Sequence, residues 1–239
     1  MRQTLLLLFC GYFSLLRGQA GERSIYGGLL YKNSGIGLAY QNRLDPGKGP
    51  VKQFDIEFAT YHHPRETKSF NSELNNPTPF VFGKLNKAAL LKVNYSRYYK
   101  ISGFTDAQRV GIDLGVGGGL VIGFLKPVYI NLIYPDPLGY ETVVAEKYDP
   151  QKHTDKSRIA GYTDGRVGWS EISSRVGLSL SAGIGFTWGY FTNYPKRLET
   201  GFYLEYFKSG LPIMAFTPNK PVREGVFVKL FFGKRTLKN

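Results

Sequence analysis

RVGLSLSAGIGFTWGY, residues 175–190 (Arg175 to Tyr190), decides how the rest of the chain is read. Val176, Leu178, Leu180, Ala182, Ile184, Phe186, Trp188 and Tyr190 are apolar or aromatic, and from Gly177 onward the positions between them are glycine, serine and threonine. A β-strand sends successive side chains to opposite faces. The pattern therefore predicts a strand with one oily face and one small, polar face. Strands of soluble proteins usually run to about five or six residues. A tilted strand crossing a bilayer needs roughly nine to eleven, and alternates apolar outward with small or polar inward. Sixteen residues of this alternation predict a stave of a membrane barrel.

Residues 110–124 repeat the code: Val110, Ile112, Leu114, Val116, Leu120, Ile122 and Phe124 alternate with Gly111, Asp113, Gly115, Gly117, Gly119 and Gly123. A soluble β-sandwich or a ligand-carrying barrel is the competing reading, since glycine runs also mark bends where strands curl around a narrow barrel. Six further segments read as strands: Ile25–Tyr31, Ile36–Asn42, Val51–Tyr61, Ala89–Tyr99, Leu198–Lys208 and Gly225–Lys234. That makes eight, the smallest usual number for an outer-membrane barrel. The prediction is an all-β, up-and-down antiparallel transmembrane β-barrel. The third and fifth connections, within 62–87 and 126–174, are by far the longest, and the even-numbered ones are short. Short periplasmic turns and long extracellular loops are the rule for such barrels, and a sandwich has no reason to follow this parity. Val128, Ile130, Leu132 and Tyr134 continue the outward phase past Pro127, and with Tyr140–Tyr148 they predict a β-ribbon inside the fifth connection.

Met1–Ala20 carries one early charge, Arg2, and an apolar run too short to span a bilayer as a helix, which predicts a cleaved signal peptide. Without it the barrel domain, 21–239, has no cysteine, which excludes disulfides and thiolate chemistry. The net charge of +13 becomes +11 when Arg2 and Arg17 leave. For an exported chain the first expectation is an ordinary solvated basic surface, and the counter-charge expected ahead of nucleic acid is lipid phosphate.

The inward face is predicted to carry Asp55, Glu57, Lys92, Asp113, Glu199, Glu205 and Lys229. An eight-stranded barrel has room for side chains but not for an open pore, so enclosed charges must pair or stay hydrated. Lys92 and Lys229 are expected to neutralise some carboxylates, leaving a surplus. Tyr95, Tyr98, Tyr99, Trp188, Tyr190 and Phe191 lie toward strand ends and are expected to form an interfacial aromatic girdle. His62 and His63, near Ser69 and Ser72, are the only candidates for acid–base work, with no motif that fixes a nucleophile. His62, His63 and His153 lack metal-ligand spacing, so no catalytic residue, metal or cofactor is assigned.

Several phrases resemble those of a largely uncharacterised family of outer-membrane β-barrel proteins of Gram-negative bacteria. They are Phe80-Val81-Phe82-Gly83-Lys84-Leu85-Asn86, the run 119–127 ending in Leu125-Lys126-Pro127, Lys147-Tyr148-Asp149-Pro150-Gln151-Lys152-His153, Leu211-Pro212-Ile213-Met214-Ala215 and Phe231-Phe232-Gly233-Lys234-Arg235. The resemblance implies an outer-membrane barrel with no assigned chemistry. One departure is that the chain runs on through Thr236-Leu237-Lys238-Asn239 instead of ending on an aromatic residue, so Phe232 would serve the assembly machinery from an internal position. The expected partners are the bilayer and its outer-membrane lipid, the barrel-assembly machinery during biogenesis, and a protein at the loops, with no nucleic acid. The expected role is structural or interactive, with a subunit of an envelope complex as one form of it. A lipid-modifying barrel enzyme and a small-solute channel are the alternatives.

Overall fold

The computed structural model describes residues 21–72, 74, 78–105, 109–135 and 141–236. The segment 1–20, expected from the sequence to be a signal peptide, the start of the expected returning ribbon strand at 140 and the tail 237–239 lie outside the described residues. The strands are β1 (Glu22–Lys32), β2 (Gly35–Asp45), β3 (Val51–Tyr61), the short β4 (Lys68–Ser69) and β5 (Phe80–Val81), β6 (Asn86–Ser102) and β7 (Gly111–Pro127). They continue with β8 (Tyr129–Pro135), β9 (Glu141–Lys147), β10 (Ile159–Tyr162), β11 (Ser173–Trp188), β12 (Lys196–Tyr206) and β13 (Val222–Thr236). Eight of them close a ring in the order β1-β2-β3-β6-β7-β11-β12-β13 and back to β1, every neighbour antiparallel. This is the up-and-down barrel that the alternation predicts, built from the same eight segments.

Register places one oily row around the outside. Leu29 lies opposite Leu38, Leu38 opposite Phe58, Phe58 opposite Leu91, Leu91 opposite Ile122, and Ile122 opposite Val176. Such cross-strand pairs are the stabilising unit of a sheet, yet here they face away from the protein: Leu178 is 58 % and Leu180 62 % exposed. On β11 the outward apolar run from Val176 to Trp188 covers twelve residue steps. That is about 40 Å of strand at about 3.3 Å per residue, or about 30 Å along the axis at a tilt of about 40°. The apolar band of a membrane barrel is about 25 Å tall.

The small residues facing inward make room for large ones opposite. A Cβ on Gly185 would fall 2.0 Å from Nη2 of Arg197, and one on Gly115 would fall 2.5 Å from the Tyr98 ring. Gly183 and Gly28 face Phe227 and Phe231 in the same way. Inside, Tyr26, Leu30, Ala39, Ala59, Tyr203, Phe227 and Phe231 form one apolar cluster contributed by β12, β13, β1, β2 and β3.

The termini and the connections 46–50, 103–110 and 189–195 lie at one end of the barrel, and the connections 33–34, 62–85, 128–172 and 207–221 at the other. At that second end the connection 207–221 folds inward. Phe207, Leu211, Ile213 and Met214 are buried against Tyr61, Leu90, Val121 and Leu125 and close the barrel over. Beside this plug, β9 and β10 flank β8 in a three-stranded sheet. The predicted ribbon is therefore present as β8 and β9, but its face is corrected. Val128, Ile130 and Leu132 do not continue the lipid-facing phase; they are buried against Phe80, Tyr148 and Ile159. A cover of loop residues gives them a core of their own, which the strand pattern alone could not reveal.

Candidate functional site

The barrel interior is the first candidate, because it holds ionic side chains that a filler of apolar residues would not need. Asp55, Glu57, Lys92, Asp113, Glu199, Glu205 and Lys229 are all buried, none more than 4 % exposed. Each reaches inward because it shares a strand parity with small inward residues, as Asp113 does with Gly111 and Gly115. At the centre, Glu57 accepts Lys92 and Lys229 at 2.9 Å and Lys32 at 3.2 Å. Lys229 bridges on to Glu199 at 2.9 Å. Toward the termini, Asp113 receives both nitrogens of the Arg197 fork at 2.7 and 3.0 Å and Arg43 at 2.6 Å. Gln41 and Gln53 donate to both Asp55 and Glu199. Toward the loops, Glu205 meets Lys32 at 3.3 Å and Arg223 at 3.4 Å.

The expected surplus of carboxylates is absent among the described residues. Within the central network five buried carboxylates (Asp55, Glu57, Asp113, Glu199, Glu205) face five buried cations (Lys32, Arg43, Lys92, Arg197, Lys229), while Asp45, Lys84 and Arg235 are buried toward the two mouths. Sequence reasoning missed Lys32, Arg43 and Arg197. Lys32 stands at the last position of β1, and Arg43 and Arg197 near ends of their strands, where alternation is least informative. Their signal was parity: Arg43 is in phase with Gln41, and Arg197 with Glu199. Glu57–Lys92 and Glu199–Lys229 join opposite residues of neighbouring strands, whereas Arg43–Asp113 (β2 to β7) and Lys229–Glu57 (β13 to β3) run across the tube and tie strands that share no ladder.

The predicted aromatic girdle divides. Tyr99, Trp188 and Phe191 are exposed and Tyr95 is half-exposed. Tyr98 is corrected: at 4 % exposure it faces inward, because the alternation that sends Tyr95 and Tyr99 out sends Tyr98 in. There it lies between the guanidiniums of Arg43 and Arg197, 5.1 and 4.9 Å from its ring centroid, a cation–π arrangement. Tyr190 is corrected too. The strand ends at Trp188, Gly189 takes a left-handed conformation with φ of 61°, and Tyr190 turns across the barrel mouth instead of pointing outward. Its hydroxyl donates to Asp45 and Glu22, and burial together with these acids raises its pKa. Arg235 pairs with Glu22 and donates to the Tyr190 carbonyl, closing this end.

The loop end gathers most of the phrases that carry the family resemblance. Leu85 N–H donates to Ile213 O at 2.8 Å, Ala215 N–H to Gly83 O at 2.7 Å, and Val128 N–H to Leu85 O at 2.9 Å. Asn86 donates to Pro212 O at 2.6 Å, Gly83 N–H to the Tyr148 hydroxyl at 3.2 Å, and Lys84 pairs with Glu66. His153 is spoken for: its Nδ1 accepts the Asp149 N–H at 2.9 Å, folding the 147–153 turn back on itself. The Phe231–Arg235 phrase lies on β13, apart from this group.

His63 lies at the loop end of the barrel, after β3. Its Nδ1 accepts the Arg65 N–H at 3.2 Å, and burial lowers its pKa. Among the described residues no hydrogen bond joins His62 or His63 to Ser69 or Ser72. A cavity of about 500 Å³ opens beside His63, lined also by Arg65, Tyr203, Lys220 and Arg223. At the opposite mouth a cavity of about 10 Å³ is lined by Asp45, Phe104 and Tyr190. The ion network lies between the two.

On the outside, basic residues collect at the terminal end of the wall. Lys52 stands directly across from Arg97, and Lys234 across from Ile25. With Arg23 and Lys196 they follow the outward phase of β1, β3, β6, β12 and β13.

No family model matches the sequence, and no curated protein matches it. Solved structures with a similar barrel include Neisserial surface protein A (TM-score 0.40, 11% identity, covering 92% of this chain and 98% of that one). A major outer membrane protein of Thermus thermophilus gives a TM-score of 0.43 at 17% identity, over 91% of this chain and 100% of that one. The attachment invasion locus protein Ail of Yersinia pestis gives 0.40 at 13% identity, over 91% and 100%. These are likenesses of architecture; the closed ring of eight strands rests on this chain's own register.

Proposed function

We propose that this chain is an outer-membrane β-barrel that does not conduct, held rigid by its internal ion network, and that it presents the loop end as an interaction surface. The observation that carries the reading is the pairing of an exposed apolar wall with a sealed ionic interior. Exposed apolar patches on soluble monomers rarely exceed about 300–600 Å², whereas here the outward residues of all eight strands contribute to one belt. The basic arc of Arg23, Lys52, Arg97, Lys196 and Lys234 borders that belt where lipid phosphates would lie. The exposed aromatics Tyr99, Trp188 and Phe191 at the terminal end, and Tyr31 and Tyr206 at the loop end, suit the two interfaces. Export by the 1–20 segment and insertion by the assembly machinery belong to the same proposal.

The test is refolding of the mature chain from urea into phospholipid vesicles. The folded barrel should migrate faster than the boiled form on a denaturing gel, resist proteinase K along its eight long strands, and leave the vesicles impermeable to small solutes. A chain that folds and stays monomeric in detergent-free buffer would refute the membrane reading. Solute leakage proportional to folded protein would refute the sealed interior.

A further inference from the structure

We infer that the cavity at the loop-end mouth is a binding site for a phosphorylated saccharide. The cavity, about 500 Å³, lies within the range of about 300–1,000 Å³ typical of small-molecule sites. Its charge is one-sided, with Arg65, Lys220 and Arg223 against Glu224.

Arg223 is the decisive group. Its side chain is 10% exposed, its guanidinium stacks 3.5 Å from the Tyr61 ring centroid, and it lines the cavity. Nη1 is at ion-pair distance from Glu205, yet neither Nη1 nor Nε makes a hydrogen bond. The ion pair with Glu205 and the Tyr61 ring hold the guanidinium in place in the cavity wall. The planar fork of an arginine fits two oxygens of a phosphate at once. Arg65 and Lys220 are exposed and stand over the same opening, placed to complete a three-cation cradle.

The remaining lining argues for a sugar attached to that phosphate. The Tyr203 hydroxyl donates to Asn33 Oδ1 at 3.0 Å and shares a hydrogen bond of 3.1 Å with Ser34 Oγ, so this edge is held in place before any ligand arrives. The backbone N–H of Asn33 donates to Val226 O at 3.3 Å, whereas its side-chain Nδ2 has no acceptor among the described residues and is left as a donor for hydroxyl oxygens. Leu211 and Pro218 supply an apolar floor against which a ring can rest. The site needs no covalent step, and it does not depend on which membrane the barrel occupies.

The experiment uses the full mature chain folded in detergent micelles and titrated calorimetrically with glucose 6-phosphate and with glucose. A second arm titrates the protein in vesicles with and without a phosphorylated glycolipid, to separate a soluble from a lipid-borne source. Saturable binding of either phosphorylated probe, with none of glucose, is expected. The charge reversal R65E/K220E, at exposed loop positions that leave the fold intact, should weaken it by at least about tenfold. Arg223→Lys, which keeps the charge but not the fork, should weaken it as well while the gel-mobility shift stays unchanged. Absence of binding in both arms, equal binding of glucose, or wild-type affinity in R65E/K220E would overturn the assignment.

Discussion

Removing one carboxylate from the barrel interior tests whether the ions are a connected network or a set of independent pairs. Glu57 is the sharpest choice because three ammonium groups converge on it, at 2.9, 2.9 and 3.2 Å. At an effective dielectric of about 20, each contact near 2.9 Å is worth about 6 kcal/mol of gross attraction. Desolvation of each ion removes several kcal/mol of this. Glu57→Gln leaves five cations facing four carboxylates, and an uncompensated buried charge costs about 3–5 kcal/mol. With a urea slope of about 2 kcal/mol/M, the unfolding midpoint in vesicles should fall by about 2 M. Glu57→Gln with Lys92→Met restores four against four and should recover most of that loss. The assay is urea titration read by tryptophan fluorescence and by the gel-mobility shift. A loss below about 1 kcal/mol for the single variant, the level of an exposed pair, would refute the network, and so would strict additivity in the double variant.

On the outer wall, Leu180→Arg separates the membrane reading from a soluble one. It should cost about 2–4 kcal/mol in vesicles, whereas an exposed substitution in a soluble sheet stays within about 0.5 kcal/mol. Gly185→Ala should push the Arg197 guanidinium off Asp113 and destabilise the barrel by about 1–3 kcal/mol, measured by the same titration. In the loop sheet, burial pushes the Tyr162 phenol up to about 12. An unfolded tyrosine ionises near about 10, so the native state holds its proton longer. The stability this confers is complete below about pH 10 and is lost as pH rises toward about 12. Ultraviolet titration of phenolate should lose one late-ionising component in Tyr162→Phe, while the other late-ionising tyrosines, Tyr190 among them, remain. Phe232→Ala should slow insertion if that exposed side chain is the residue read during assembly, and a variant that assembles at the wild-type rate would count against the role.

Alternation is a local property of the chain, because a strand's two faces follow from the backbone alone. That is why Val176 through Trp188, and Asp113 among its glycines, could be sorted into outward and inward sets without coordinates. The number of staves and the parity of their connections followed from the same period and from turn residues. What lies opposite what inside the tube did not follow. The partners of Glu57 come from β1, β6 and β13, and those of Asp113 from β2 and β12, so closure of the ring determines them and no single strand encodes them. The same holds for the plug. Leu211, Ile213 and Met214 sit in a segment with no strand pattern, and only the apolar space left at the mouth draws them in. Tyr190 shows the limit most plainly: it keeps the outward phase on paper, but one left-handed glycine before it turns the ring across the mouth. The sequence, through a period of two, determined the wall; three-dimensional closure decided the contents of the barrel, because pairing across it depends on distances that no local pattern carries.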